Sequence, residues 1–278
     1  MEDSADSDTK KFMLKEIKKE IKFAKYSIKK NMDSSVELRS SFLINLFGMM
    51  LNNSAFLVVW VSFGTIANGM GDWRPIDAVG MIGIGTLGFG LCFAFFGGIR
   101  ELPDIIGAGS FDKFLLSPKN VLVRLSTSYF NPSAVGDLIF GISCLIIWFY
   151  FNGATPLGII FSIILCICSG LLYFFYSVFV NSAAFYFMDS REIVRGFFEF
   201  LITPSLFFGG AFQGLLRFTF IFIVPAMLIG SFPIEVIKQE SFIRLGLVIF
   251  ITICWAMLSV WVFNKSVKKY ESTNFIGF

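Results

Sequence analysis

The chain has 278 residues, of which 55% are hydrophobic and only 15% charged, and its net charge is +3. A soluble globular domain carries about a quarter charged residues, and a disordered chain is poor in apolar ones, so both classes are excluded. What remains is an all-α polytopic membrane protein: mean hydropathy is +0.74, and the 37 Phe and 25 Gly suit helices that meet lipid on one side and each other on the other.

The chain opens on polar residues with four acids, Glu2, Asp3, Asp6 and Asp8, unlike a secretory signal peptide. Residues 10–30 are rich in lysine, with apolar positions at Leu14, Ile17, Ile21, Ala24 and Ile28. That 3,4 spacing puts one apolar stripe on a helix whose lysines face water and lipid phosphates. Such an interfacial amphipathic helix either contacts a cytoplasmic partner or serves as a basic anchor that sets topology, and the two roles are compatible. Residues 1–40 therefore form a cytoplasmic N-terminal tail and interfacial helix.

A membrane helix needs about 20 apolar residues to cross about 30 Å of hydrocarbon. Uncharged stretches predict six transmembrane helices near 41–66, 77–99, 133–151, 157–181, 216–232 and 243–264, all within one domain of 41–264. The second carries Gly83, Gly90 and Gly97 seven residues apart, which predicts close approach of a neighbouring helix. Asn152-Gly153-Ala154-Thr155-Pro156 marks a tight turn between the third and fourth. The segment at 192–214, uncharged from Phe200 onward, contains Pro204 and Gly209-Gly210 and is read as re-entrant or interfacial. Residues 265–278 form a cytoplasmic tail.

With both termini cytoplasmic, this scheme puts all but Arg74, Lys238 and Arg244 of the 23 Lys and Arg residues inside, Arg217 among them. That is the bias expected of a multi-pass protein of the cell membrane. The five cysteines lie in apolar runs and are expected to be small hydrophobes in helix packing. Histidine is absent, which excludes His-based triads, His-ligated zinc and His proton relays. No catalytic, cofactor-binding or metal residues are assigned, and the low net charge points to no nucleic-acid partner.

Polar groups at membrane depth are few: Asn45, Asn52 and Asn53 in the first span, Asn181 at the end of the fourth, and Asp137 early in the third. Intramembrane polar groups are functional candidates. Asn45, Asn52, Asn53 and Asp137 are therefore candidate pathway-lining residues, although the asparagines also suit bonds between helices and Asp137 suits a helix N-terminus.

The loop between the second and third spans runs from Arg100 to Asn120. Ser110 is expected to cap a short helix from Phe111, stopped before Pro118. This helix would set Phe111, Phe114 and Leu115 on one face, which needs a groove in another protein or a bilayer surface to cover it. Gly109, Asp112, Leu115, Leu116 and Pro118, together with Arg217 and the later Val224-Pro225 and Phe232-Pro233, resemble the permease subunits of type-2 ABC exporters, in the branch with six spans and a separate ATPase.

The resemblance implies that the loop is a cytosolic coupling helix docking on a nucleotide-binding subunit, with Glu101, Asp104, Gly109, Asp112, Lys113, Phe114, Leu115 and Pro118 as coupling residues. It implies two ABC ATPase subunits that bind the ATP and Mg, a second permease that is identical or homologous, and surrounding membrane lipids. The chain has no Gly-x-x-x-x-Gly-Lys-Ser/Thr phosphate loop of its own, so it is read as a transport subunit rather than an enzyme, with no cofactor in this chain. A non-transporting assembly or sensor protein is the alternative. A membrane-embedded enzyme is a third class, short of a convergent acid/base set.

Overall fold

The computed structural model describes residues 2–66, 73–187 and 190–270, with side chains left out at 2–14, 63, 64 and 66. The side chain of Leu14 and the tail beyond Tyr270 thus lie outside the described residues. Helices follow one another in the order α1 (Glu2–Glu37), α2 (Arg39–Ile66), α3 (Pro75–Phe96), α4 (Leu102–Gly107), α5 (Asp112–Leu115), α6 (Val121–Ser126), α7 (Pro132–Asn152), α8 (Pro156–Asn181), α9 (Arg191–Ser205), α10 (Gly214–Phe218), α11 (Ser231–Gln239) and α12 (Phe242–Val267). No strand occurs among the described residues.

Among the described residues, five stretches are long and apolar enough to cross a membrane: Arg39–Ser62, Pro75–Gly107, Pro132–Asn152, Pro156–Phe185 and Phe242–Val267. Their starts are written in the sequence. Pro75, Pro132 and Pro156 each open a helix, where the missing N–H costs nothing. Asn131 and Thr155 accept hydrogen bonds from the first free backbone amides of α7 and α8.

Close packing of α3 on α7 forms the centre of the bundle. A Cβ on Gly90 would lie 2.7 Å from the Leu138 nitrogen, and one on Gly141 2.6 Å from the Leu87 nitrogen. Each glycine therefore lets the opposite backbone in, and dispersion takes the place of a hydrophobic drive that lipid cannot supply. Gly83 meets Cys144 and Leu145 on the same seam, as its spacing from Gly90 predicts. All five cysteines are free, four of them buried.

The segment from Arg191 to Gln239 differs from the sequence expectation. Residues 216–232 are not one helix. Helix α10 continues into a wide turn at Thr219–Ile223, and Val224 takes an extended conformation before Pro225, as a residue ahead of proline prefers. The chain then turns and returns through α11. The Ile229 carbonyl accepts from Ser169 Oγ at 3.1 Å, halfway along α8, so this hairpin dips to the middle of the bundle.

Residues 191–211 instead run from one end to the other. Arg191 pairs with Asp104 at the end that carries the 101–120 loop, whereas a Cβ on Gly209 would meet Trp73 and Glu235 at the opposite end. Pro204 lies in the last turn of α9 and not at a reversal. Arg217 likewise belongs to the opposite end. It bonds Glu235 at 2.8 Å, and Glu235 also faces Arg244 at 3.7 Å. The charge count had placed Arg217 with the loop; hydropathy cannot tell a dipping hairpin from a crossing of similar composition.

Candidate functional site

Two features of the bundle carry functional interest: a cavity between its helices and the 101–120 loop. The cavity has a volume of about 430 Å³ and lies between α2, α3, α7, α8 and α9. Its lining mixes apolar and polar side chains: Met49, Asn52, Asn53 and Phe56 from α2, Met81 and Thr86 from α3, Asp137 from α7, Tyr173 from α8, and Glu199 and Ile202 from α9, with Arg100 also reaching it.

Asp137 is 2% exposed and sits in the second turn of α7. Its Oδ1 accepts from Asn53 Nδ2 of α2 at 2.6 Å, while Oδ2 has no hydrogen-bond partner among the described residues. A carboxylate has about four acceptor positions, so a single amide leaves most of its capacity unused. Arg100 is occupied elsewhere. Its guanidinium lies over Phe198 at 5.0 Å and Phe93 at 5.1 Å, with Phe89 at 5.8 Å, a stacked arrangement that arginine favours.

The structure thus brings Asn52, Asn53 and Asp137 to one cavity. Asn45 is not among its lining residues. It is exposed and donates to the Ser41 carbonyl of its own helix at 2.8 Å. Thr86, Tyr173, Arg100 and Glu199 were not singled out from the sequence. One signal was available for the α3 wall: Met81, Ile82, Gly85, Thr86 and Phe89 follow the spacing of one helix face. Among the described residues, no cluster of three or more acids or thiols is placed to hold a metal.

At the loop, Glu101 ends a tight turn at Gly97–Glu101, and α4 follows, with Asp104 paired to Arg191 on the surface. Helix α4 closes on Gly109, whose φ of 62° lies in the left-handed region. Its N–H bonds the Ile106 carbonyl and the Ser110 N–H bonds that of Ile105. This is the Schellman pattern, in which glycine has no Cβ to clash. Ser110 therefore ends α4, its hydroxyl donating to the Ile105 carbonyl at 3.2 Å, and does not cap the next helix.

Helix α5 bears Asp112, Lys113, Phe114 and Leu115. The expectation that its apolar face finds no shelter within the chain is corrected for two residues. Phe111 is fully buried against Phe185 at 5.1 Å and Tyr270 at 4.9 Å between ring centroids. Phe114 is buried beneath Lys113 and Arg124, whose cationic groups lie over its ring. Burial, together with the nearby Asp112 charge, pushes the Tyr270 phenol above its ordinary range. What stands bare is the tip: Leu116 is 85% exposed, with Leu115 and Pro118 exposed beside it.

The N-terminal helix braces this loop. Ser27 Oγ and Asn31 Nδ2 both donate to the Thr127 carbonyl at 2.8 Å, and Lys119 faces Glu20 at 3.7 Å. Ile17 and Ile21, two members of the predicted apolar stripe, remain exposed.

Residues 49–274 match a family model described as ABC-2 family transporter protein. No curated protein and no solved structure matches the chain.

Proposed function

Since the chain belongs to the ABC-2 family of transporter proteins, as a multi-pass permease subunit that works with an ABC ATPase, we propose that it is the permease of an exporter whose loop couples to that ATPase. The observation that carries this reading is the loop tip. Leu115 and Leu116 stand exposed on a short helix whose root is fixed: Phe111 and Phe114 anchor it below, and α1 braces it from the side. A bare apolar tip on a rigid root suits insertion into a groove of another protein.

A rigid root also transmits force. Movement of the docked tip would shift Phe111 against Phe185 and Tyr270, and so reach α8 and α12 as a body motion rather than a loop flexion. In this reading two ATPase subunits bind ATP and Mg, each gripping one permease, and a second permease completes the pathway. The loop end, with both chain termini, faces the cytoplasm. The cavity holding Asn52, Asn53 and Asp137 is part of the path taken by the cargo.

Co-purification tests the docking surface. Leu115→Glu with Leu116→Glu should release the ATPase while the permease still inserts and folds; an ATPase that stays bound to this variant would overturn the proposal. Orientation has its own readout. A cysteine at position 153 should label from outside the cell and one at position 110 only from inside, and the reverse pattern would invert the scheme.

A further inference from the structure

We propose that Arg100 is the gate between the cavity and a second, charged chamber at the loop end, through which the cavity communicates with the cytoplasm. The inference rests on the permease reading for its place in transport, and on two neighbouring chambers for its geometry. The second chamber has a volume of about 300 Å³, with Asp104, Arg191, Arg195 and Phe198 in its lining. Among the described residues that line the two chambers, Arg100 and Glu199 are the ones common to both. A molecule passing from one chamber to the other would go by these two side chains.

The conformation of Arg100 closes the boundary. An arginine at the end of a span ordinarily stretches outward to the lipid headgroups. Here the guanidinium turns back over Phe93 and Phe89, rings that precede it by about two to three helical turns. Phe198 of α9 adds a third ring at 5.0 Å. Phe89 lines the cavity and Phe198 the loop-end chamber, so the stack of α3 rings, cation and α9 ring lies across the boundary. Arg100 and Glu199 both remain exposed, as groups with a chamber on either side would be.

This closure is built to open. Contacts between a cation and ring faces tolerate displacement better than a bidentate ion pair, whose hydrogen bonds fix its geometry. Glu199 is near enough to attract the guanidinium, so parting the rings moves Arg100 toward a waiting carboxylate. The motion comes from the loop. Arg100 lies in the tight turn Gly97–Glu101 that leads into α4, and Asp104 of α4 pairs with Arg191 of α9. One side of the gate thus belongs to the loop and the other to α9, and the Asp104–Arg191 pair latches the two together.

Thiol modification in sealed vesicles, with the permease and its ATPase together, tests the gate. Gly85 lines the cavity, and a Cβ there meets nothing within 4 Å, so Gly85→Cys supplies a reporter without crowding. The parent chain, four of whose five cysteines are buried, sets the background. The probe is an uncharged, sugar-linked methanethiosulfonate that does not cross lipid, so loss of the Arg100 charge leaves its attraction unchanged. Applied from the loop side, it should modify Gly85→Cys slowly, and adding Arg100→Gln should speed the reaction about tenfold, since access sets the rate. Applied from the opposite side, the rate should be the same with and without Arg100→Gln. Should Arg100→Gln not fold, Phe198→Leu removes one of three rings and should give a rise of about threefold.

Equal rates from the loop side with and without the gate substitution overturn the proposal. So does a rise of the same size from both sides, which a loosened bundle would give. A loop-side rise in a chain that never retains an ATPase sinks the coupling proposal and leaves the gate standing. An ATPase that stays bound while the rates do not change sinks the gate alone.

Discussion

Two aspartates in neighbouring helices are buried almost equally and live in opposite circumstances. Asp77, in the first turn of α3, is completely buried and surrounded by donors. Trp148 Nε1 of α7 reaches Oδ1 at 3.1 Å, Lys238 Nζ of α11 reaches Oδ2 at 2.7 Å, and the Arg74 N–H reaches Oδ2 at 2.9 Å. Asp137, near the other end of the same helix pair, has one amide and a buried oxygen with no hydrogen-bond partner among the described residues. A carboxylate tied to three elements holds those elements in register. A carboxylate left half-satisfied stabilises nothing of comparable size.

The largest effect should therefore fall on Asp77. Asp77→Ala removes the acceptor that the Lys238 ammonium and the Trp148 indole N–H share, and removal of one partner of a buried pair costs about 3–5 kcal/mol. Thermal unfolding in detergent should drop sharply, with α11 loosening first. A variant within about 1 kcal/mol of wild type would mean that the network decorates the fold without holding it.

Next in size is the neighbouring cluster on the dipping hairpin. Glu235 is partly exposed and faces Arg217 and Arg244, so water screens part of each attraction. Glu235→Ala should destabilise by about 1–2 kcal/mol and make α10 more accessible to protease. Equal losses from Glu235→Ala and Asp77→Ala would erase the distinction between a sealed network and a solvated one.

Much of this architecture was legible. The proline-led starts at Pro75, Pro132 and Pro156, the glycine seam at Gly83 and Gly90, and the turn at 152–156 all follow from local chemistry that needs no partner. The segment between Arg191 and Gln239 was not, because Pro204 and Pro225 lie in apolar stretches of similar length and charge. Only pairings far apart in sequence separate them: Arg191 with Asp104, and Lys238 with Asp77. The cavity was half legible. Asn52, Asn53 and Asp137 stood out as rare polar groups in apolar helices, whereas Asp77 was hidden by its place at a predicted span edge, where a charge looks ordinary. The loop misled through its aromatic residues. Nothing near Phe111 in sequence foretells that Phe185 and Tyr270 cover it.

Asp137→Asn probes the other side of the contrast. The substituted side chain keeps an oxygen for Asn53 and loses a buried charge that has no second partner, so stability should move by less than about 1 kcal/mol in either direction. Asn53→Ala should cost more, about 1 kcal/mol or slightly above, because it strips Asp137 of its single donor. The order of those two melting temperatures is the observable; a reversed order would mean that the Asp137 charge is itself structural.

The smallest stability effect belongs to the loop, where the same division recurs between sheltered and open groups. Phe114 is buried beside Phe111 and under two cationic side chains, so Phe114→Glu would replace a packed ring with a desolvated carboxylate and damage the fold before any partner was involved. Leu116 projects into solvent and touches too little of its own chain for Leu116→Glu to shift the melting temperature measurably, since surface changes stay within about 0.5 kcal/mol. A docking site reads the two residues in the reverse sense. Leu116→Glu should lower ATPase retention strongly at unchanged stability, because a charge buried in an apolar groove costs far more than the same charge in water. Retention and melting temperature measured on one preparation separate the outcomes. If both hold at wild-type values, the tip is bare because nothing docks there, and force from the ATPase must enter by another surface.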